Sequence, residues 1–162
     1  MERIDKQALV AGLRAAIAGD LETATRSARD AAEAATHEEN RPENDKDMRS
    51  TEASYLARGQ AERVRELERS DDALRSLELR PFGPGDAIAA GSLVIVEHGG
   101  SSTAYLLAPA GGGIRTTAGG IVVQVVTPRS PLGQALLGRS AGDVTQVAGP
   151  GGVREIEIVD VQ

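Results

Sequence analysis

The chain has 162 residues, a formal net charge of −6 and no cysteine. The length fits one or two small domains, and the lack of cysteine excludes both a disulfide framework and a thiolate metal site. One Phe, two Tyr and no Trp leave little material for stacking nucleobases. The negative charge argues against autonomous nucleic-acid binding, which relies on Lys and Arg at the phosphates.

Residues 1–21 place Arg14 and Asp20 inside an apolar pattern, unlike the uninterrupted core of a signal peptide. We therefore expect a cytoplasmic protein without a membrane span. Most charged side chains lie in residues 1–80 and most glycines in residues 81–162. Between the two parts, the sequence RPFGPGD has two prolines and two glycines, which is typical of a connector. We predict an N-terminal domain over residues 1–80 and a C-terminal domain over residues 81–162.

Residues 4–74 predict two long helices. Residues that are apolar or small, apart from Gln60, recur at helical spacing and form one narrow stripe on each helix. The stripes comprise Ile4, Leu13, Ile17, Leu21, Ala24, Ala28, Ala31 and Ala35, and then Ser50, Ala53, Ala57, Gln60, Val64, Leu67 and Leu74. Pro42 ends the first helix, and both stripes change from large to small residues towards it. We predict an antiparallel coiled-coil hairpin.

The turn of this hairpin, HEENRPENDKD at residues 37–47, is crowded with carboxylates. They belong to Glu38, Glu39, Glu43, Asp45 and Asp47. An acidic tip held at the end of two helices indicates delivery of charge to another molecule. A solvated turn without further function is the alternative, since charged hairpins with polar tips are common.

Beyond the connector, five segments rich in β-branched residues are bounded by Gly, Pro and Ser turns. They predict strands at residues 92–97, 103–107, 120–126, 143–147 and 152–161. The glycine clusters at residues 98–100 and 111–113 lack the Lys-Ser/Thr ending of a phosphate loop, so we interpret them as hairpin turns.

A short helix is predicted within the C-terminal domain, at SPLGQALLG. Ser130 is its expected N-cap, Pro131 its first helical residue and Gly138 its terminator. The side chains expected to pack on the sheet are Leu132, Ala135 and Leu136. The fold class is therefore α+β, with an N-terminal antiparallel α-helical coiled-coil hairpin followed by a small β-rich domain.

The order of these features resembles the bacterial Gre transcript cleavage factors. SPLGQALLG, then GD at residues 142–143, PGG at residues 150–152 and a final EIEIVDV follow the family's order and approximate spacing. The resemblance covers nearly the whole chain, and Ser130 to Gly152 is its most specific part. It implies an FKBP-like fold for the C-terminal domain.

The resemblance also implies a function. Such a factor docks through its C-terminal domain on RNA polymerase, at the rim of the secondary channel, and its hairpin enters the channel. In backtracked complexes the tip carboxylates help to hold a second Mg²⁺ while the polymerase cleaves the displaced end of the nascent RNA, its 3′ end. The factor is then a monomer and no enzyme itself. Mg²⁺ chemistry agrees, because this ion uses one or two carboxylates together with substrate phosphates, so the free tip holds no stable metal.

The family's tip has an aspartate, two intervening residues and then Glu-Asn. Glu43 and Asn44 match the later pair, whereas Asn40 occupies the place of the aspartate. The expected tip acids, acting in trans in the polymerase active centre, are Glu43, Asp45, Asp47 and Glu39. Glu43 and Asp45 are the expected ligands of the shared Mg²⁺.

The resemblance places the contact with polymerase at Arg129, Ser130, Pro131 and Leu132. The residue before SPLG is commonly acidic in the family, whereas this chain has Arg129. A helix cap and a core position explain Ser130 and Leu132 without any partner, so both interpretations stay open.

The sequence allows other functions. The altered tip favours a Gre paralogue that occupies the channel and inhibits or modulates transcription without stimulating cleavage. A peptidyl-prolyl isomerase shares the expected fold, but its pocket is walled by aromatic residues and residues 81–162 offer only Phe82 and Tyr105. A hydrolase is disfavoured because His37 and His98 are far apart in sequence and no catalytic spacing accompanies them.

Arginines on the second helix allow two interpretations. They are Arg49, Arg58, Arg63, Arg65 and Arg69, and glutamates lie between them. The set forms either a basic stripe beside RNA or a solvated face of ion pairs.

Overall fold

The computed structural model describes residues 3–39 and 46–162. Its helices are α1 (Lys6–Glu39), α2 (Lys46–Arg75) and α3 (Pro131–Leu136). Its strands are β1 (Leu93–His98), β2 (Ser101–Leu107), β3 (Arg115–Ala118), β4 (Ile121–Val126), β5 (Val144–Gly149) and β6 (Gly152–Val161). Two long helices followed by a β-rich part confirm the predicted α+β class. Within the described residues, no helix is long and apolar enough to cross a membrane.

The described residues of the predicted apolar stripes are buried or half-buried, and Leu9, Val10 and Ser70 are buried beside them. Leu13 and Ile17 of α1 and Leu67 and Leu74 of α2 are almost fully buried. The alanines towards the turn are buried or half-buried. Asp5 caps α1, because its Oδ1 accepts hydrogen bonds from the backbone N–H groups of the second and third helical residues.

The start of α1 and the end of α2 are joined by an ion pair. Nε and Nη2 of Arg14 donate to the two carboxylate oxygens of Asp71 at 2.8 and 3.0 Å. Such a paired geometry is stronger than a single hydrogen bond. The contact joins opposite ends of the two helices, as the predicted antiparallel arrangement requires.

The chain packs as two compact units. One comprises Met1–Ala16 with Ser70–Gln162, and the other is Ile17–Arg69. The bases of both long helices thus belong with the sheet. The predicted boundary between residues 80 and 81 separates two domains that would each fold alone. Packing does not test independent folding, so this boundary stays a prediction.

A single mixed sheet of six strands has the order β3-β4-β2-β1-β6-β5. Strands β2 and β4 are parallel, and every other neighbouring pair is antiparallel. Five of the strands correspond to predicted ones, and β3 was missed because its sequence RTTA has no apolar alternation. The prediction of a hairpin turn at residues 111–113 was wrong, because β2 and β3 are not neighbours. That segment instead crosses over to β3, which pairs with β4.

One face of the sheet and α3 enclose a core. Its fully buried members include Phe82, Val94, Leu107, Leu136 and Ile158. The predicted packing of α3 is confirmed, because Leu132 and Ala135 lie against this core as well. Alternate residues of β1 point to the opposite face and are also buried, as Leu93 and Ile95 show.

Lys6 joins distant parts of the chain at the base of α1. Its Nζ donates to the carbonyl oxygens of Arg80, Gly91 and Gln162, the last two at 3.0 and 3.1 Å. Burial lowers the pKa of Lys6, and the charges of Arg80 and Arg3 lower it further. The backbone N–H of Ile4 also donates to Oε1 of Gln162, at 2.9 Å.

Candidate functional site

The loop before α3 has the geometry that its sequence predicts. The hydroxyl of Ser130 accepts a hydrogen bond from the N–H of Gly133 at 3.0 Å and donates to the carbonyl of Thr127 at 2.9 Å. Pro131 takes the first helical position, where a missing N–H costs nothing. The prediction of a serine N-cap is confirmed.

The glycine of SPLG, Gly133, lies where a side chain would not fit. A Cβ atom built on it would lie 2.0 Å from the carbonyl oxygen of Thr127, closer than any side chain permits. The turn can fold this tightly against α3 only because this position has no side chain. Gly138 then ends the helical segment with φ of 75°, as predicted, and its N–H donates to Ile88 O at 2.9 Å.

The four predicted contact residues divide into two pairs. Arg129 and Pro131 are exposed, whereas Ser130 and Leu132 are half-buried. The hydroxyl of Ser130 is occupied by its two local bonds, and the side chain of Leu132 packs on the core. Ser130 and Leu132 therefore build the loop, and Arg129 and Pro131 form its accessible surface.

Leu137, the C-cap of α3, was not among the predicted contact residues. Its side chain is 38% exposed although its neighbour Leu136 is fully buried. The two leucines of ALLG look alike in sequence, but successive residues of a helix point about 100° apart. This difference in direction is the feature of the sequence from which an exposed Leu137 could have been predicted.

The acidic tip lies at the limits of what the structure describes. Glu39 is the last residue of α1 and Asp47 the second residue of α2, but their side chains fall outside the described set. Glu43 and Asp45 lie outside the described residues altogether. Among the side chains that are described, no group of three or more His, Cys, Asp or Glu is placed to hold a metal ion.

The arginines of α2 are largely engaged by neighbouring glutamates. Arg65 and Arg69 contact the carboxylate of Glu62 at 3.0 and 2.9 Å, and Arg63 contacts Glu66 at 3.5 Å. Hydrogen bonds from Arg69 and Arg65 lower the pKa of Glu62. Of the two interpretations, the ion-paired face is the one this geometry favours.

Residues 84–162, which include α3 and all six strands, match the family model "Transcription elongation factor, GreA/GreB, C-term". Residues 84–162 therefore belong to the GreA/GreB C-terminal domain family, and the chain is Gre-like. It is 32% identical to "Transcription elongation factor GreA" of Syntrophus aciditrophicus (strain SB) over 101 residues, which cover 61% of this chain and 58% of that protein. The identity with the GreA of Polaromonas naphthalenivorans (strain CJ2) is 31%, covering 61% and 60%.

The chain thus spans less than two thirds of the length of these GreA relatives. Among solved structures, GreA factor homolog 1 (Gfh1) of Thermus thermophilus is 24% identical and has a TM-score of 0.40, with coverage of 92% of this Gre-like chain and 94% of that chain. A GreA/GreB factor from Nitrosomonas europaea is 22% identical with a TM-score of 0.37, and the match covers 59% and 78%.

Proposed function

We propose that this Gre-like protein is a transcription elongation factor that binds RNA polymerase at the secondary channel and stimulates cleavage of backtracked RNA. The match of residues 84–162 to the GreA/GreB C-terminal domain carries the proposal. The relatives named above are themselves described as transcription elongation factors.

Docking is assigned to the surface beside α3. Arg129 and Pro131 are exposed there at a turn that two hydrogen bonds of Ser130 hold in one conformation, and Leu137 is exposed at the other end of α3. A pre-ordered loop loses little conformational entropy when it binds, which raises affinity. Arg129 gives this surface a positive charge, so its counterpart on the polymerase carries an acidic side chain.

Catalytic assistance is assigned to the acidic tip. α1 and α2 each have at least 30 residues and are therefore about 45 Å long or more, at 1.5 Å per residue. Glu43 and Asp45 would supply carboxylate oxygens to a Mg²⁺ shared with the polymerase, and Asp47 and Glu39 lie beside them in sequence. When bound, that ion would polarise the attacking and leaving oxygens at the RNA phosphate.

A second function has one observation in its favour. Asn40 stands where the family resemblance calls for an aspartate, and an amide carries no charge with which to hold a cation. With one tip carboxylate fewer, the protein would occupy the channel and inhibit or modulate synthesis without stimulating cleavage.

Release of the RNA 3′ end from a defined backtracked elongation complex tests the tip. We expect the intact protein to accelerate release. The Glu43→Ala, Asp45→Ala double variant should still bind polymerase, but its acceleration of release should be at least tenfold smaller. The matched control is Asp30→Ala with Glu33→Ala, which removes the same charge from exposed positions of α1. Binding without stimulation by the unaltered protein would establish the second function instead.

Binding to polymerase tests the docking surface separately. We expect Arg129→Glu to weaken binding about tenfold or more, since it places a negative charge against the acidic counterpart. Arg154→Glu makes the same change at an exposed position of β6 and should leave affinity unchanged. Equal losses in the two variants would show that net charge, and not this loop, governs binding.

A further inference from the structure

One part of the sheet face that carries α3 is left uncovered. The core under α3 reaches as far as Tyr105, which packs against it and is half-buried. Beyond Tyr105, on the side of β4 and β3, lies a groove of about 510 Å³. Its lining includes Val122, which is 58% exposed, and Arg115, which is exposed as well. The groove is therefore open to solvent and is not an internal cavity.

Three side chains form a row across this groove. Gln124 of β4 pairs with Tyr105 of β2 on one side and with Arg115 of β3 on the other. Residues that pair across neighbouring strands have their side chains on the same face of the sheet, and all three line the groove. Thr103 and Val122 lie two residues before Tyr105 and Gln124, so they share this face and line the groove too.

The guanidinium of Arg115 is held in place by Gln124. Its Nε donates a hydrogen bond to Oε1 of Gln124 at 2.9 Å. A guanidinium can only donate, so the amide of Gln124 has its oxygen towards Arg115 and its nitrogen, with two N–H donors, on the other side. Among the described residues, no carboxylate forms an ion pair with Arg115. Within this part of the chain, the charge of Arg115 is oriented but not neutralised.

The groups in the row suit a carboxylate ligand. An ionised carboxylate accepts hydrogen bonds without donating any, and it can accept two from one guanidinium. Of the described residues that line the groove, Arg115 alone is charged. The single charge of a carboxylate balances it, whereas a phosphate group carries about two. The exposed side chain of Val122 offers an apolar contact for the methylene groups that carry the carboxylate.

The open shape of the groove favours a peptide over a small acid. A small-molecule site usually buries about 70–90% of its ligand, and one exposed ion pair contributes little affinity. A peptide that lies along the groove gains further contacts with Val122 and with the hydroxyl groups of Ser102 and Thr103, which also line it.

We propose that this groove binds a glutamate side chain from an extended acidic segment of a partner protein. The carboxylate would contact Arg115 and the amide nitrogen of Gln124, and the methylene groups of the glutamate would lie on Val122. The groove is distinct from the docking surface at Arg129, which precedes α3. The proposal does not depend on that surface or on the acidic tip.

Amide chemical shifts of the full chain, titrated with peptides, test the proposal. The probe is a seven-residue peptide with a central glutamate between valines, and its counterpart has glutamine at the centre. We expect the glutamate peptide to shift the amides of Thr103, Val122 and Gln124. It should bind about fivefold more tightly than the glutamine peptide, which is the upper range for an exposed ion pair. Added salt should reduce this difference by screening.

Two variants identify the charge that is responsible. Arg115→Gln should weaken binding of the glutamate peptide about fivefold and remove the difference between the peptides. Arg154→Gln removes the same charge from an exposed position of β6 and should leave both affinities unchanged. An equal loss in the two variants would overturn the proposal, because net charge would then explain the attraction.

Three further outcomes would also overturn it. The first is equal binding of the glutamate and glutamine peptides by the unaltered protein. The second is the absence of shifts at Thr103, Val122 and Gln124 with millimolar peptide. The third is tighter binding of glutarate, a small acid with the same carboxylate, because the groove would then be a small-molecule site.

Discussion

Gly12 and Gly19 are both interior residues of α1, but their surroundings differ. A Cβ on Gly19 would meet nothing within 4 Å, whereas one on Gly12 would lie 2.8 Å from Thr116 Oγ1. We expect Gly19→Ala to stabilise the protein by about 1 kcal/mol through helix propensity. In Gly12→Ala the same gain is opposed by overpacking, which costs about 1–3 kcal/mol. Urea unfolding of both variants measures the difference, and equal stabilities would show that α1 does not pack on β3.

Asp71 makes stability depend on pH in the acid range. The hydrogen bond from Arg14 lowers the pKa of its carboxyl below the ordinary value of 3.8. A lowered folded-state pKa means that the stabilisation is present above about pH 4 and is lost as pH falls through the folded-state pKa. We expect the melting temperature of Asp71→Asn to be lower near neutrality and to fall less steeply below pH 4 than that of the unaltered protein.

The control for this experiment is Asp30→Asn, an exposed carboxylate of α1. Its melting curve should follow the unaltered protein over the whole acid range. A slope for Asp71→Asn that equals that of the control would contradict the assignment of the effect to the pair with Arg14.

At the scale of an element, α3 depends on its cap because it has only six residues. Ser130→Ala removes both the acceptor for Gly133 N–H and the donor to Thr127 O. Loss of such an N-cap costs about 1 kcal/mol. We expect thermal unfolding to show this loss, while Ser130→Thr, which keeps a hydroxyl, stays near the unaltered protein. An unchanged melting temperature for Ser130→Ala would show that Pro131 alone sets the start of the helix.

The elements that the sequence predicted correctly are those defined by local chemistry. The hydroxyl, proline and glycine of SPLGQALLG act within a few residues of one another, so the helix and its cap could be read directly. β3 has no such local signal, because it becomes a strand only by pairing with β4. The Lys6 contacts were also beyond prediction, since their partners lie more than 70 residues away in sequence. The functional assignment of the tip acids still rests on sequence alone.

At the scale of the whole molecule, the base of α1 contributes to the stability of the sheet. Lys6, Ile4 and Arg3 make hydrogen bonds to Gly91, Gln162 and Phe82 respectively, among others. We expect a fragment of residues 81–162 to melt well below the full chain and to exchange the amide protons of Leu93 and Gln162 faster. These two amides pair with each other's carbonyl groups at 2.9 and 2.8 Å. Unchanged exchange in the fragment would support an independent domain that begins at residue 81.

The position of β6 has a consequence for biosynthesis. It is the latest strand in chain order, yet it lies between β1 and β5. While a ribosome is still adding β6, α1 and α2 can already form, but β1 and β5 have no contact with each other. In the nascent chain α1 and α2 would therefore form first. The sheet would stay incomplete, because β1 and β5 become parts of one sheet only when β6 pairs with both. Chaperones that bind exposed strands would meet this protein late in translation, after the helices have folded.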